Sequence, residues 1–283
     1  MTLAARIVPS VAALALVGAT VAACAHHPRP KPVVPPARLT ILGVNDFHGA
    51  IEERTVVLKT SGGTTATVHV GGAALLAAYV QRVREVNPGG TILLNAGDMW
   101  QGSMESNYFE GRPVVMLDDA IGYDATAVGN HEFDYGPAGP VALAAPTDPG
   151  ETRYGALLAR REEAKFPFLS ANAISVSAGA PSFAATTMIE RKGLKIGIVG
   201  LSTEDTPNTT QPANIVGLSF RPPAPALVAA AKDLRARGAD LVLVTAHIGG
   251  DCGRNPNPAD AGSCKKDEEV MRLLDAIPPG TID

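Results

Sequence analysis

The stretch AVGNHEFDYG, residues 127–136, sets an amide, an imidazole and two carboxylates between two glycines, directly after an apolar approach. The segment ATAVGN (125–130) reads as a buried strand, and the glycines mark a sharp turn where it ends. Asn130, His131, Glu132 and Asp134 therefore stand on a strand-to-loop junction. In open α/β sheets, ligands collect just outside the carboxyl ends of the strands. The stretch points to such a sheet, with chemistry at its edge.

Working outward, the same arrangement recurs. LTILGVN (39–45) runs into Asp46 and His48, TILLNAG (91–97) into Asp98, and LVLVTAH (241–247) ends on His247. With FPFLSAN (166–172) and LKIGIVGLS (194–202), these runs are almost continuously apolar, as expected of strands covered on both faces. Helical spacing fills the gaps. GGAALLAAYVQRVREV (71–86) stops at Asn87-Pro88-Gly89, and PAPALVAAAKDLRARG (223–238) opens on prolines and closes on Gly238. TTMIERKGLKIGIVG is predicted to be a hairpin turning at Lys192-Gly193. The fold class is α/β, with layered sheets under helices. No internal repeat is visible. The stretch TDPGETRYGALLARREEAKF (147–166) reads as a surface insertion.

Taken one at a time, these polar residues are ordinary. Asp46-x-His48 puts two side chains on one face of an extended segment, and Gly97-Asp98 is a common turn at a strand end. Together they form a mixed set of carboxylate, imidazole and amide donors delivered from separate strands. Such a set suits zinc, manganese or iron better than magnesium or an all-thiolate site. A shared carboxylate such as Asp98 can bridge two divalent ions, and a pair of that kind can clamp a phosphoryl group and activate water. His131 would then be free to act on the substrate, oriented by Asp134.

The ordered set NDFHG, GDMWQGS, GNHEFDYG, FLSAN, GIVGLST and LVTAHIGG resembles the calcineurin-like metallophosphatases, and within them the bacterial 5′-nucleotidase and UDP-sugar hydrolase family. The resemblance runs from about Arg38 to the end. It implies a four-layer α-β-β-α sandwich, incomplete at the C-terminus, over residues 38–283. It also implies that Asp46 and His48 bind one metal, Asp98 bridges, and Asn130 and His247 bind the second. His131 and Asp134 would be the catalytic dyad, and Glu132 structural. The implied reaction is attack of metal-bound water on the phosphorus of an extracytoplasmic nucleotide, with two divalent ions as cofactors and His131 assisting. The family also carries a further Gly-His-x-His motif and a nucleoside-binding C-terminal domain, neither of which falls within these residues. Other activities of the fold stay open: 2′,3′-cyclic-nucleotide phosphodiesterase, UDP-sugar or dinucleotide pyrophosphatase, and thiosulfate-releasing hydrolase. A non-catalytic surface lipoprotein would have lost metal ligands, and a structural wall protein would bind no metal.

The chain has 283 residues and a formal net charge of -4, so nothing in its charge balance suggests a nucleic-acid surface. At the N-terminus, Arg6 precedes an apolar run ending in V-A-A-C (21–24), which fits a secretory signal over residues 1–23. Cys24 follows the small residues as in the bacterial lipobox, which implies cleavage before it and lipidation of its thiol. An ordinary signal peptide with an incidental Cys24 is the alternative. Residues 24–37 are Pro-rich and read as an extended tether from that anchor, in which His26 and His27 are solvated. The protein is thus expected to be an exported cell-envelope lipoprotein. Cys252 and Cys264 bracket a Gly/Pro/Asn loop and are read as a disulfide of an oxidising compartment, since no second Cys or His pair with zinc spacing lies nearby. The final P-P-G-T-I-D (278–283) reads as a turn entering a strand, as in a fragment. Replacing Cys24 with Ser is expected to release the protein from the membrane fraction, and its retention there would remove the lipobox reading.

Overall fold

The computed structural model describes residues 36–253 and 261–283. The signal segment, Cys24 and most of the tether lie outside the described residues. The compact unit runs from Ala37 to Asp283. Its elements are β1 (Thr40–Val44), β2 (Arg54–Lys59), β3 (Thr65–Val70), α1 (Ala73–Val86), β4 (Thr91–Asn95), α2 (Met104–Asn107), α3 (Arg112–Ile121) and β5 (Ala125–Ala127). There follow α4 (Gly155–Glu163), β6 (Phe168–Leu169), β7 (Ala173–Ser175), β8 (Thr186–Arg191), β9 (Leu194–Ser202), α5 (Thr206–Thr209), β10 (Leu218–Phe220), α6 (Pro223–Ala236), β11 (Leu241–His247) and α7 (Glu269–Ala276).

Two sheets carry the architecture. The first is parallel, in the order β1-β4-β5-β6, and the second runs β11-β9-β8 with β9 and β11 parallel. Alternate residues along each strand face opposite sides, and here they sort into three separate cores. Leu93 packs with Val80, Val114 and Leu157 under the helices of the first sheet. Its neighbours Ile92 and Leu94 face the other way and meet Ile196 and Ile198 between the sheets. Val199 and Leu201, on the opposite face of β9, pack against Leu227, Ala231 and Leu234 of α6. The result is a four-layer α-β-β-α sandwich.

The predicted hairpin forms: β8 pairs antiparallel with β9, and Lys192 and Gly193 both take positive φ, 54° and 76°, in the turn. The other boundaries differ from the sequence reading in instructive ways. β4 is buried throughout, but β1 is the outermost strand of its sheet and alternates, with Ile41 half exposed. β6 stops after Leu169, because the chain there leaves the first sheet and bonds to the second, Ala171 N–H donating to Gly200 O (2.8 Å). The stretch 147–166 is not a surface insertion. It contains α4, whose Ala156 and Leu157 are fully buried beside Tyr154 and Phe133 in the core. The hairpin of β2 and β3, closed by Gly62-Gly63, was not anticipated, although Ser-Gly-Gly between Val/Thr runs is a hairpin signal. At the other end, Asp283 N–H donates to Val242 O (3.1 Å), beside β11.

Ile198, fully buried between the sheets, tests whether that middle layer is a packed core. Ile198→Ala is expected to lower unfolding free energy by about 2–5 kcal/mol, read by denaturant titration.

Candidate functional site

The loops leaving β1 and β4 stay paired beyond the strands. Asp46 N–H donates to Gly97 O (3.1 Å), His48 N–H to Asp98 O (3.1 Å) and Gly49 N–H to Met99 O (2.8 Å). Along this ladder Asp46, His48 and Asp98 all adopt positive φ, of 50°, 49° and 57°. Non-glycine residues avoid that region because Cβ crowds the carbonyl, and such strain gathers at functional sites. The expectation that Asp46 and His48 share a face of an extended segment is therefore corrected. β1 ends at Val44, and left-handed turns rather than pleating bring His48 Nε2 to 3.7 Å from Asp46 Oδ1.

Glu132 holds these loops in place. Its buried carboxylate accepts N–H donors from Asp98 (2.8 Å), Met99 (2.8 Å) and Gly129 (2.7 Å), joining the loops after β4 and β5. Burial, then the charge of Asp98, push its pKa up to about 7 against these donors. Gly129 must be glycine, because a Cβ there would lie 2.2 Å from Asp98 Oδ1. Asp98 itself accepts the His131 N–H at Oδ1 (2.9 Å). Burial tends to raise the Asp98 pKa, but its bond to His247, the charges of His247 and His131 and the backbone donor together lower it.

Each imidazole is fixed through Nδ1. A carbonyl oxygen can only accept, so His48 Nδ1–H donates to Gln101 O (2.5 Å) and His247 Nδ1–H to Ala96 O (3.0 Å). That leaves both Nε2 atoms free to ligate, the usual arrangement for a metal-binding histidine. His131 Nδ1–H donates instead to Asp134 Oδ2 (2.6 Å). Burial alone would lower the His131 pKa. The Asp134 bond and the charges of Asp98, Asp134 and Glu132 outweigh it, so the pKa is raised and the imidazolium favoured. Asn130 Nδ2 donates to Thr209 O (3.0 Å), which turns its Oδ1 toward His247 Nε2 (2.9 Å).

Two groups of donor atoms, each within 4.8 Å of one another, share Asp98: one with Asp46 and His247, the other with His48 and His131. The partition differs from that implied by the resemblance, which pairs Asp46 with His48 and keeps His131 apart. The donor set fits divalent cations. His247 Nε2 lies 3.1 Å from Asp98 Oδ2 and 2.9 Å from Asn130 Oδ1. Neighbouring ligands on one tetrahedral ion, at bonds of about 2.1 Å, sit about 3.4 Å apart, close to these separations. With Nδ1–H committed, these lone pairs repel unless something positive lies among them. In the protein alone a proton serves: burial lowers the His247 pKa, but Asp98 and Glu132 carry it up to about 9. A cleft of about 370 Å³, lined by Asp46, Ala96, His247 and Gly249, opens onto this edge. A larger one, about 550 Å³, adjoins it at Gly249, but Thr203, Glu268 and Arg272 there bring no imidazole. Past β11, Cys252 and Cys264 are joined as a disulfide.

The sequence reading missed the outer supports. Thr210 Oγ1 donates to Asp134 Oδ1 (2.7 Å), and the fully buried Asn214 donates to Phe133 O (2.8 Å). Both come from the TPNTTQPANI segment, whose composition marks a loop but not its destination.

No family model matches the chain. Among solved structures, the calcineurin-like phosphoesterase YfkN from Bacillus subtilis superposes with a TM-score of 0.59 over 79% of this chain and 66% of its own, at 21% identity. Among curated relatives, the snake venom 5′-nucleotidase of Gloydius brevicauda is 34% identical over 215 residues, 75% of this chain and 33% of its own length. The 5′-nucleotidase of Vibrio vulnificus strain CMCP6 is 31% identical over 251 residues, 86% of this chain and 40% of its own. The fold is thus that of the calcineurin-like phosphoesterases. In sequence the chain is similar to 5′-nucleotidases, and it spans only 33% and 40% of the length of these two relatives.

Glu132→Gln would replace one acceptor oxygen with an NH₂ facing backbone donors. It is expected to cost about 2–4 kcal/mol of stability, by comparison with the loss of charged hydrogen bonds and the unpaired amides left behind. Thermal unfolding checks this, and an unchanged midpoint would remove Glu132 as the clamp.

Proposed function

We propose that this chain provides the metal-binding and proton-transfer part of an exported phosphoesterase that hydrolyses nucleotides as a 5′-nucleotidase does, releasing phosphate and a nucleoside. The observation that carries this reading is Asp98, which belongs to both groups of donor atoms and whose Oδ2 lies 3.1 Å from His247 Nε2. A carboxylate so placed suits a bridge between two divalent ions. By the resemblance, rather than by the grouping of donor atoms, which sets Asp46 beside His247, Asp46 and His48 are assigned to one ion and Asn130 and His247 to the other. When bound, such ions neutralise phosphoryl charge and make water nucleophilic near neutral pH.

The remaining roles belong to the protein. Asp134 holds His131 through Nδ1, so its Nε2 is left to meet the substrate. The raised pKa keeps a proton available there for the developing charge on the phosphoryl or leaving-group oxygen. The left-handed turns at Asp46, His48 and Asp98 hold the ligating groups in place before substrate arrives. Tethering through a lipid on Cys24 would place this site in the cell envelope, where external nucleotides are encountered.

Two substitutions in the full-length protein test the assignment, with 5′-AMP as substrate and metal content measured on the purified protein. His131→Ala is expected to lower kcat by about 10²–10⁴-fold with metal retained. Asp98→Asn is expected to lose both metal and hydrolysis. Metal loss in His131→Ala would make His131 a ligand, as its grouping with His48 and Asp98 permits. Undiminished hydrolysis in Asp98→Asn would end the two-ion reading.

A further inference from the structure

We infer that Thr210 is a positioning residue for this reaction, acting on His131 through Asp134; the inference rests on the role proposed for that pair. Asp134 uses both carboxylate oxygens: Oδ2 accepts from His131 Nδ1 (2.6 Å) and Oδ1 from the Thr210 hydroxyl (2.7 Å). A carboxylate held by one oxygen can swing about its Cβ–Cγ bond. One held at both ends is fixed in plane, and so is the imidazole it carries. Thr210 is the outer end of the chain of contacts Thr210–Asp134–His131.

The hydroxyl comes from a separate support. Thr209 and Thr210 follow the β9 strand, whereas the dyad follows β5. Three bonds from this segment reach the dyad turn. Thr209 O accepts from Asn130 Nδ2, Thr210 Oγ1 donates to Asp134, and Asn214 Nδ2 donates to Phe133 O. The segment is itself pinned. Thr206 is fully buried with its hydroxyl on Thr203 O (2.8 Å), and Glu269 accepts the Thr203 hydroxyl (2.5 Å) and the Glu204 N–H (2.9 Å). One rigid strap therefore sets the orientation of the Asn130 amide and of the His131 ring. A loop that only covered the turn would need no hydroxyl aimed at the free oxygen of the dyad carboxylate.

The test compares Thr210→Val, which keeps shape and removes the donor, with Thr210→Ser, which keeps the donor. Each is made in the full-length, zinc-loaded protein and again in an Asp134→Ala background, with 5′-AMP as substrate. Thr210→Val is expected to lower kcat about tenfold, at the lower end for outer-shell partners, with KM within about twofold and zinc content unchanged. Thr210→Ser should recover most of the loss. In the Asp134→Ala background Thr210→Val should cost nothing further, because residues acting as a unit are not additive. In the same proteins labelled with ¹⁵N-histidine, the His131 Nδ1 proton should appear in wild type, broaden through faster water exchange in Thr210→Val, and vanish in Asp134→Ala. An unaltered proton signal in Thr210→Val, or an equal kcat loss with and without Asp134, overturns the inference. Wild-type protein that hydrolyses nothing would instead overturn the nucleotidase reading, and the proton signal would then decide the Thr210 contact by itself.

Discussion

The site depends on one buried carboxylate that touches no substrate. Glu132 gathers the amides of Asp98, Met99 and Gly129, and thereby holds together two loops that leave different strands. Those amides point inward, away from any ladder partner. Without a common acceptor they would be unsatisfied in a dry interior, at about 1–3 kcal/mol each. The acceptor also determines where Asp98 stands. Its backbone N–H is committed to Glu132, its φ is forced positive, and its side chain is brought under the His131 N–H and His247 Nε2.

That arrangement concentrates negative charge. Asp46, Asp98 and Glu132 lie at the same edge, and the protein alone offsets them by holding His131 and His247 as strong proton acceptors. Divalent cations would do the same work more completely, and each of the two donor groups around Asp98 could hold one. The edge is rigid enough for this because the sheets are bonded to each other beside it. The Thr245 hydroxyl donates to Asn95 O (2.6 Å), the Ser202 hydroxyl to Val128 O (2.6 Å), and His247 Nδ1 to Ala96 O. Each bond joins a side chain of the second sheet to the first sheet's backbone just ahead of Asp98 or Asn130. The sandwich is thereby closed where the reactive groups emerge.

Much of this was legible beforehand, for identifiable reasons. Apolar runs of Val, Ile and Leu ending in Asp or His mark buried strands and their carboxyl ends, and the structure places those strands and ends in two sheets. Lys192-Gly193 and the Pro-first, Gly-last helix of 223–238 carry turn and cap chemistry that acts locally. The stretch 147–166 reads as surface because the charges of Arg160, Arg161, Glu162 and Glu163 conceal a buried face. Arg160 is itself nearly buried, with its guanidinium on Phe109 O (3.1 Å) and Glu163 (2.9 Å). The composition of β1 suits a strand covered on both faces, but composition does not say which strand lies at the rim of a sheet.

The sequence by itself determined the inventory: the α/β class, the strand ends, and the identities and order of Asp46, His48, Asp98, Asn130, His131, Asp134 and His247. These follow from short-range patterns, where a strand, a turn or a donor type is encoded within a few residues. Only the tertiary structure decided how they meet. It put Asp46 and His48 in left-handed turns, gave Asp98 to both donor groups, made Glu132 the acceptor for the distant amides of Asp98 and Met99, and brought Thr210 to Asp134. The physical reason is that these are hydrogen bonds and charge contacts between residues far apart in the chain. Their partners are selected by packing, and no local pattern records them.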